Sequence, residues 1–307
     1  MDSVATRGQN EEARSSCHPV IVSSCPSKQQ IGNCLMDQLH FTWRIYWRLI
    51  GVQIRSQLQY RAAFLLETFA AGITLFLFFA SLAFVLQRFG ALGGWTLGEI
   101  AFLWGTVEFA FGLMDMIFSG FDPSSFGKQI RQGLLDQLLL RPVNITAQVF
   151  GSDFVLRRLG RITQGLIIVV IALAMADIHW TPAKILYYPF VVVGLVCFFG
   201  GLFIIGATIT FWTVDSIEVM NILTYGGSEM MAYPMHIYPD WLRRTFTYIV
   251  PAIFLNYYPA LYFLDKPDVL GWSRAVSFLA PLVGLAILWI ALRFWQFGLR
   301  HYQSTGT

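Results

Sequence analysis

The sequence predicts an all-α, multi-pass membrane protein, on the strength of its bulk composition, a series of apolar runs of spanning length, and the placement of its basic residues. Hydrophobic residues make up 56% of the 307-residue chain and charged residues 13%, and the mean hydropathy is +0.57. A water-soluble core cannot hide that much apolar surface. A chain of this length holds about six spans of roughly 20 residues with short loops between them, which leaves no room for a large extramembrane domain. The net charge of +3 is small and dispersed, which argues against nucleic-acid binding. Cys17, Cys25 and Cys34 lie in the polar N-terminal stretch and Cys197 stands alone in an apolar run. Neither metal-ligand spacing nor a disulfide framework is visible.

Residues 1–37 are rich in Ser, Gln, Cys and charge, without apolar periodicity or the apolar core of a secretory signal, and are expected to be a disordered extension. Translation from Met36 rather than Met1 is the alternative, which mass spectrometry of the native N terminus decides. From His40 to Arg61, helical spacing brings Arg44, Arg48 and Arg55 within about 40° of one another, with Trp43, Trp47, Ile50 and Ile54 on another side. This is the pattern of an interfacial helix, its basic stripe suited to anionic lipid headgroups and its apolar face to the acyl boundary.

Strong spans are expected at Ala62 to Leu86, Ile100 to Phe118, Ile162 to Ile178, Tyr187 to Trp212 and Ala275 to Leu292, each near the length that crosses about 30 Å of hydrocarbon. Backbone polarity requires them to be helices. Thr96-Leu97-Gly98-Glu99 is a capping box immediately before the second run. Trp95, Trp180 and Trp272 sit at span ends as interface anchors. Between Asp215 and Asp268, Val219 to Tyr233 is a weak span. Thr245 to Leu264 is more apolar but is interrupted by Pro251, Asn256 and Pro259. If both crossed, Arg293 and Arg300 would lie outside, against the positive-inside tendency, so six spans are preferred. With the N terminus inside, twelve basic residues face the cytoplasm, among them Arg157, Arg158 and Arg161, and six lie outside, Lys184 and Lys266 among them. Both termini are therefore expected in the cytoplasm.

Sites of chemistry are sparse. No segment matches the phosphate-cradling G-x-x-x-x-G-K-[ST] pattern, since Gly127-Lys128-Gln129 lacks the upstream glycine and the hydroxyl residue. The histidines are scattered, and no metalloprotease or serine-hydrolase motif occurs. No catalytic, cofactor-binding or metal site is expected. In the longest cytoplasmic loop, Ser119 to Arg161, Lys128 to Leu140 reads as one short amphipathic helix with Ile130, Leu134, Leu135 and Leu138 at helical spacing. Pro142 stops it, and Gly133 in its middle allows a neighbour to approach closely. Such a helix rests on the membrane or docks into a groove of a soluble partner.

The run Ile130-Arg131-Gln132-Gly133-Leu134-Leu135-Asp136-Gln137-Leu138-Leu139-Leu140-Arg141-Pro142 resembles the loop of type-two ABC exporter permeases. In the same order, Tyr233-Pro234, Tyr238-Pro239, Leu242-Arg243, Pro251-Ala252 and Asn256-Tyr257-Tyr258-Pro259-Ala260 resemble that family's extracellular segment. The ending Gly298-Leu299-Arg300-His301-Tyr302-Gln303-Ser304 resembles its tail. The similarity runs from about Gln38 to Gly306. It implies a permease domain over residues 38–307 with six transmembrane helices, an N-terminal elbow helix, a cytoplasmic coupling helix and re-entrant extracellular helices. Val219 to Tyr233 becomes the fifth span and Trp241 to Leu264 an external cap; the long N-terminal extension departs from the family pattern. The resemblance further implies a bacterial plasma-membrane subunit that pairs with a second permease chain, as homodimer or heterodimer, and with a separate ABC ATP-binding subunit. Ile130, Gly133, Asp136, Leu139 and Arg141 would then sit at the ATPase contact.

Glu67, Glu108, Asp115 and Glu229 fall within apolar runs, where an unpartnered carboxylate at a helix centre costs about 2.5 kcal/mol or more. They need partners or water. Glu108 and Asp115 are seven apart and share a helix face, so one reading has them line a pathway for cationic cargo and the other has them bond between helices. Gly200, Gly201, Gly206, Gly226 and Gly227 permit close helix packing, within the chain or between two chains. The competing functional classes are a secondary transporter, for which inverted repeats are expected, and a non-transporting membrane scaffold.

Overall fold

A computed structural model describes residues 48, 51–52, 54–55, 61–141, 144–153, 158–176, 178–213, 218–268, 271 and 273–302. The chain divides into two units, 1–49 and 50–307. Of the first, only Arg48 is described, in helical conformation. In the second, Gly51, Val52, Ile54 and Arg55 are helical as well, with Val52 and Arg55 exposed. The N-terminal extension, its three cysteines, Pro142 and Trp272 lie outside the described residues.

Every regular element among the described residues is a helix, and none is a β-strand; Leu92 and Trp95 form an isolated bridge. The long helices are α1 (Arg61–Phe89), α2 (Leu97–Phe118), α6 (Arg158–Met175), α7 (Pro182–Thr213) and α12 (Ala280–His301). Between α2 and α6 lie the short helices α3 (Pro123–Arg131), α4 (Leu134–Leu139) and α5 (Ile145–Phe150). Between α7 and α12 lie α8 (Glu218–Asn221), α9 (Gly227–Met231), α10 (Asp240–Arg244) and α11 (Tyr257–Phe263).

Among the described residues, four helices are long and apolar enough to cross a membrane: α2 with its continuation to Arg131, α6, α7 and α12. In α1 the described apolar stretch is Gly72–Leu86. The segment read as the fifth span is irregular. α8, a π-helical stretch Ile222–Gly226 and α9 contribute four, five and five residues, about 21 Å of helix at 1.5 Å per residue, short of the ~30 Å hydrocarbon thickness.

α2 begins as its capping box predicts, with the Thr96 backbone N–H donating to Glu99 Oε2 at 2.7 Å. The last span differs from expectation. Arg274–Phe278 is a 3-10 turn and the helix runs from Ala280 to His301, because Pro281 in the first turn starts a helix without losing a needed N–H. Trp95 also departs from its expected role. It is 3% exposed, stacked on Tyr257 with ring centres 5.9 Å apart, and Lys266 Nζ lies 4.8 Å above its ring. It is covered by the segment around α11, not left open to a lipid interface.

α2 and α7 occupy the middle, packed against each other, while α6 packs on α2 and α12 on α7. Accordingly 72% of the apolar window of α2 and of α7 is buried, against 28% for α6 and 22% for α12. The free faces of α6 and α12 carry Leu166, Ile167, Val170, Leu282, Leu285 and Trp289 in exposed positions, as helices bordering lipid should.

The segment after α9 is broken into short pieces at Pro234, Pro239 and Pro251, yet its core face is buried at Leu255, Tyr257, Tyr258 and Phe263. The buried Asn256 side chain donates to the Leu103 carbonyl of α2 at 3.2 Å and to the Met231 carbonyl of α9 at 2.8 Å. Two lysines clasp the turn after α11. Lys184 of α7, 3% exposed, donates to Phe263 O at 2.9 Å and Asp265 Oδ2 at 2.6 Å. Lys266 reaches Gly94 O and Glu99 Oε2, each at 2.8 Å. Lys184, expected in an outer loop, is therefore a buried tie between α7 and this segment.

Candidate functional site

Two places combine polar groups with membrane depth or with an exposed apolar rim. The first is the seam between α2 and α6. The helices approach most closely at Gly165, where a Cβ would collide with the Phe109 backbone. Arg161 Nε donates to Glu108 Oε2 at 2.7 Å and Nη2 to Oε1 at 2.9 Å. The guanidinium sits 4.2 Å from the centre of the Phe111 ring. One turn nearer the loop, Arg158 Nε lies 3.2 Å from Asp115 Oδ2 and its Nη1 donates to the Asp115 carbonyl at 2.5 Å. Bidentate pairing is the strongest arrangement available to a carboxylate and a guanidinium, and it offsets the desolvation that an unpaired carboxylate would suffer here.

Arg158 and Arg161, counted in the sequence as cytoplasmic loop charges, are thus helix residues whose charge is matched by the two acids of α2. Glu229 of α9 is close enough to feel the charges of Glu108 and Arg161. It is exposed, as is Tyr225 four residues earlier, whose ring packs on Phe111 at 5.4 Å. The structure therefore brings three of the four predicted acids to one neighbourhood. Glu67 lies on α1, and its side chain is outside the described residues.

The second place is the loop between α2 and α6. The single helix expected over Lys128 to Leu140 is two helices, because Gly133 takes φ +66°, a left-handed conformation that costs glycine nothing. The Gly133 N–H donates to Ile130 O at 3.0 Å as α3 ends, and α4 starts in a new direction. The backbone at Gly133 therefore favours glycine whatever packs against it. Ile130 is fully buried and supports the loop from beneath. Asp136 is half-buried beside Tyr302, whose hydroxyl is pushed above the usual tyrosine range by its burial and by that carboxylate. Leu139 and Arg141 are exposed, and so are Leu134 and, at 86%, Leu140. These leucines form an apolar rim on a loop whose opposite side is core.

Sequence reasoning placed the loop and the acids but missed Arg158 and Arg161 as their partners. The available signal was the pair's i, i+3 spacing at the start of an apolar helix, which puts both on one face. The five glycines divide: Cβ atoms at Gly200, Gly201 and Gly206 would press on Phe118, Ile287 and Pro123 within the chain, whereas Gly226 and Gly227 have no neighbour closer than 3.8 Å.

Apolar helices of spanning length, with charged groups paired between them, define a multi-pass α-helical membrane protein. The family model described as ABC-2 family transporter protein matches residues 70–306, most of the chain, and the protein belongs to that family as a transporter's membrane component. No curated protein and no solved structure matches the chain.

Proposed function

We propose that this chain is the permease subunit of an ATP-driven ABC exporter in a bacterial plasma membrane, acting with a second permease chain and with a separate subunit that hydrolyses ATP. The observation that carries this reading, beside family membership, is the apolar rim of Leu134, Leu139 and Leu140 on a loop anchored from within by Ile130 and Leu135. Exposed leucines flanked by Arg131 and Arg141 suit a groove on a soluble partner. Gly133 sets the angle between α3 and α4, and Asp136 and Arg141 border the contact. In this reading both termini are cytoplasmic, α1 and the segment through α8 and α9 complete six spans, and the elbow helix precedes α1. The pieces from Trp241 to Leu264 form a re-entrant outer cap.

Glu229 is the acid we assign to the transport pathway, with Glu67 a second candidate. Glu108 and Asp115 already have their charge matched by Arg161 and Arg158, so their part is to hold the wall of that pathway. A carboxylate exposed at membrane depth requires water or a partner rather than acyl chains, which suits a wall of a passage.

Co-purification of the tagged chain with a P-loop ATPase tests the assembly. Leu140→Asp is expected to abolish that association while leaving the thermal midpoint of the purified chain unchanged. Retention of the ATPase by both Leu140→Asp and Gly133→Trp, with transport intact, would remove the docking assignment.

A further inference from the structure

Beneath the rim, both limbs of the loop meet one residue of the last span. Trp295 of α12 is fully buried. On one limb, Phe121 and Phe126 pack edge-on against its ring at 5.0 and 5.6 Å. On the other, its indole Nε1–H donates to Thr146 Oγ1 of α5 at 3.1 Å. Phe211 of α7 packs on the same ring at 5.1 Å and on Phe126 at 5.8 Å.

The limbs are also tied to each other, since the Gln148 side chain donates to Leu138 O at 3.3 Å and Ser119 Oγ donates to the Asp153 carbonyl. Beyond α12, Tyr302 packs on Phe211 at 5.4 Å and flanks Asp136 of α4. Aromatic contacts of this kind add about 0.5–1.5 kcal/mol each beyond area burial, and several converge here. A close-packed core of this sort transmits displacement instead of absorbing it.

The geometry points to Trp295 as a positioning residue that joins the loop to the last span, so that a push on the Leu134–Leu140 rim is delivered to α12 and, through Phe211, to α7. This rests on the rim being the ATPase contact. The joint itself is a property of the single chain and is measurable without the partner.

Spin labels at Gln137 of α4, outside the rim, and Phe297, both exposed, in a variant with its four native cysteines replaced, report the joint by pulsed electron resonance. In the purified permease a narrow distance distribution is expected. Trp295→Ala should broaden it, and equal widths in parent and variant would overturn the inference whether or not any ATPase binds.

In the assembled transporter the distance should stay the same between nucleotide-free and vanadate-trapped states, and a shift between them would equally overturn it. Thr146→Val, which removes the indole hydrogen bond at nearly constant volume, and Trp295→Phe, which removes it and trims the ring, should lower transport per ATP hydrolysed by about threefold to tenfold. ATPase association and the KM for ATP should be unchanged. Unaltered coupling in both variants argues against Trp295 as the joint. Loss of ATPase association in the parent protein would instead count against the proposed function.

Discussion

The seam between α2 and α6 adds two arginine–carboxylate pairs to its backbone contact at Gly165, whereas the seam between α7 and α12 is closed by backbone contact and stacked rings alone. At Gly284 of α12 a Cβ would run into the Gly194 carbonyl of α7. Further along, Trp212 stacks on Phe294 at 5.8 Å and Phe211 meets Trp295 at 5.1 Å. Lipid tails are as apolar as leucine, so helices in a bilayer associate through close packing and interhelical hydrogen bonds rather than through hydrophobic exclusion. This chain uses close backbone packing on both sides of its central pair, at Gly98, Gly105, Gly112 and Gly165 as at Gly194 and Gly284, and adds ion pairs on one side only. The ionic seam faces the neighbourhood of Glu229, and the shape-closed seam carries the loop through Trp295. Directional pairs keep polar groups in place beside the Glu229 carboxylate. Shape complementarity holds two helices together with nothing charged to desolvate.

The largest effect is expected from breaking the ionic seam on one side only. Arg161→Ala leaves Glu108 buried without its partner and should cost about 3–5 kcal/mol, read as a lower thermal midpoint in detergent. Replacing both with leucine should recover most of that loss. A single variant as mild as the double would show that the pair does not close the seam.

Next comes the shape-closed seam, where Gly284→Val should cost about 1–3 kcal/mol through overpacking. In the same melting assay Gly226→Ala, whose added methyl would meet only Ile222 at an ordinary 3.8 Å, should be near neutral. If both behave alike, backbone contact is not what holds α7 to α12.

The smallest effect should come from Arg158→Gln, about 1.5 kcal/mol. Its ion pair is longer, at 3.2 Å, and Asp115 Oδ1 accepts no hydrogen bond. An Arg158→Gln loss equal to that of Arg161→Ala would place the seam's main closure nearer the loop.

Much of the helix plan was legible, and the reasons are local. Thr96 and Glu99 lie three residues apart and bond as that spacing dictates. The expected spans at Ile100, Ile162 and Tyr187 begin within five residues of the observed helices α2, α6 and α7. The last helix was placed too early because the apolar run Ala275–Phe278 reads as helix until Pro281 is taken as a first-turn residue. Gly133 was visible, but the helix break at it was not expected: a glycine followed by a fresh apolar run marks a helix end as readily as a point of close approach. Trp95 was assigned to the lipid interface because its span-end position is apparent in sequence, while the covering Tyr257 and Lys266 come from more than 160 residues away.

By itself the sequence determined the solvent of this protein, its all-helical class and the chain positions of its main spans. Hydropathy, capping and periodicity act over a few residues, and a bilayer leaves the backbone no other conformation. Only the tertiary structure decided which polar groups meet. Arg161 finds Glu108, Lys184 finds Asp265 and Trp295 finds Thr146 because two helices, or a helix and a loop, are rotated to a particular face and held at a particular separation. That rotation is set by close packing at residues such as Gly165 and Gly284, a property of pairs of helices that no single stretch of sequence carries.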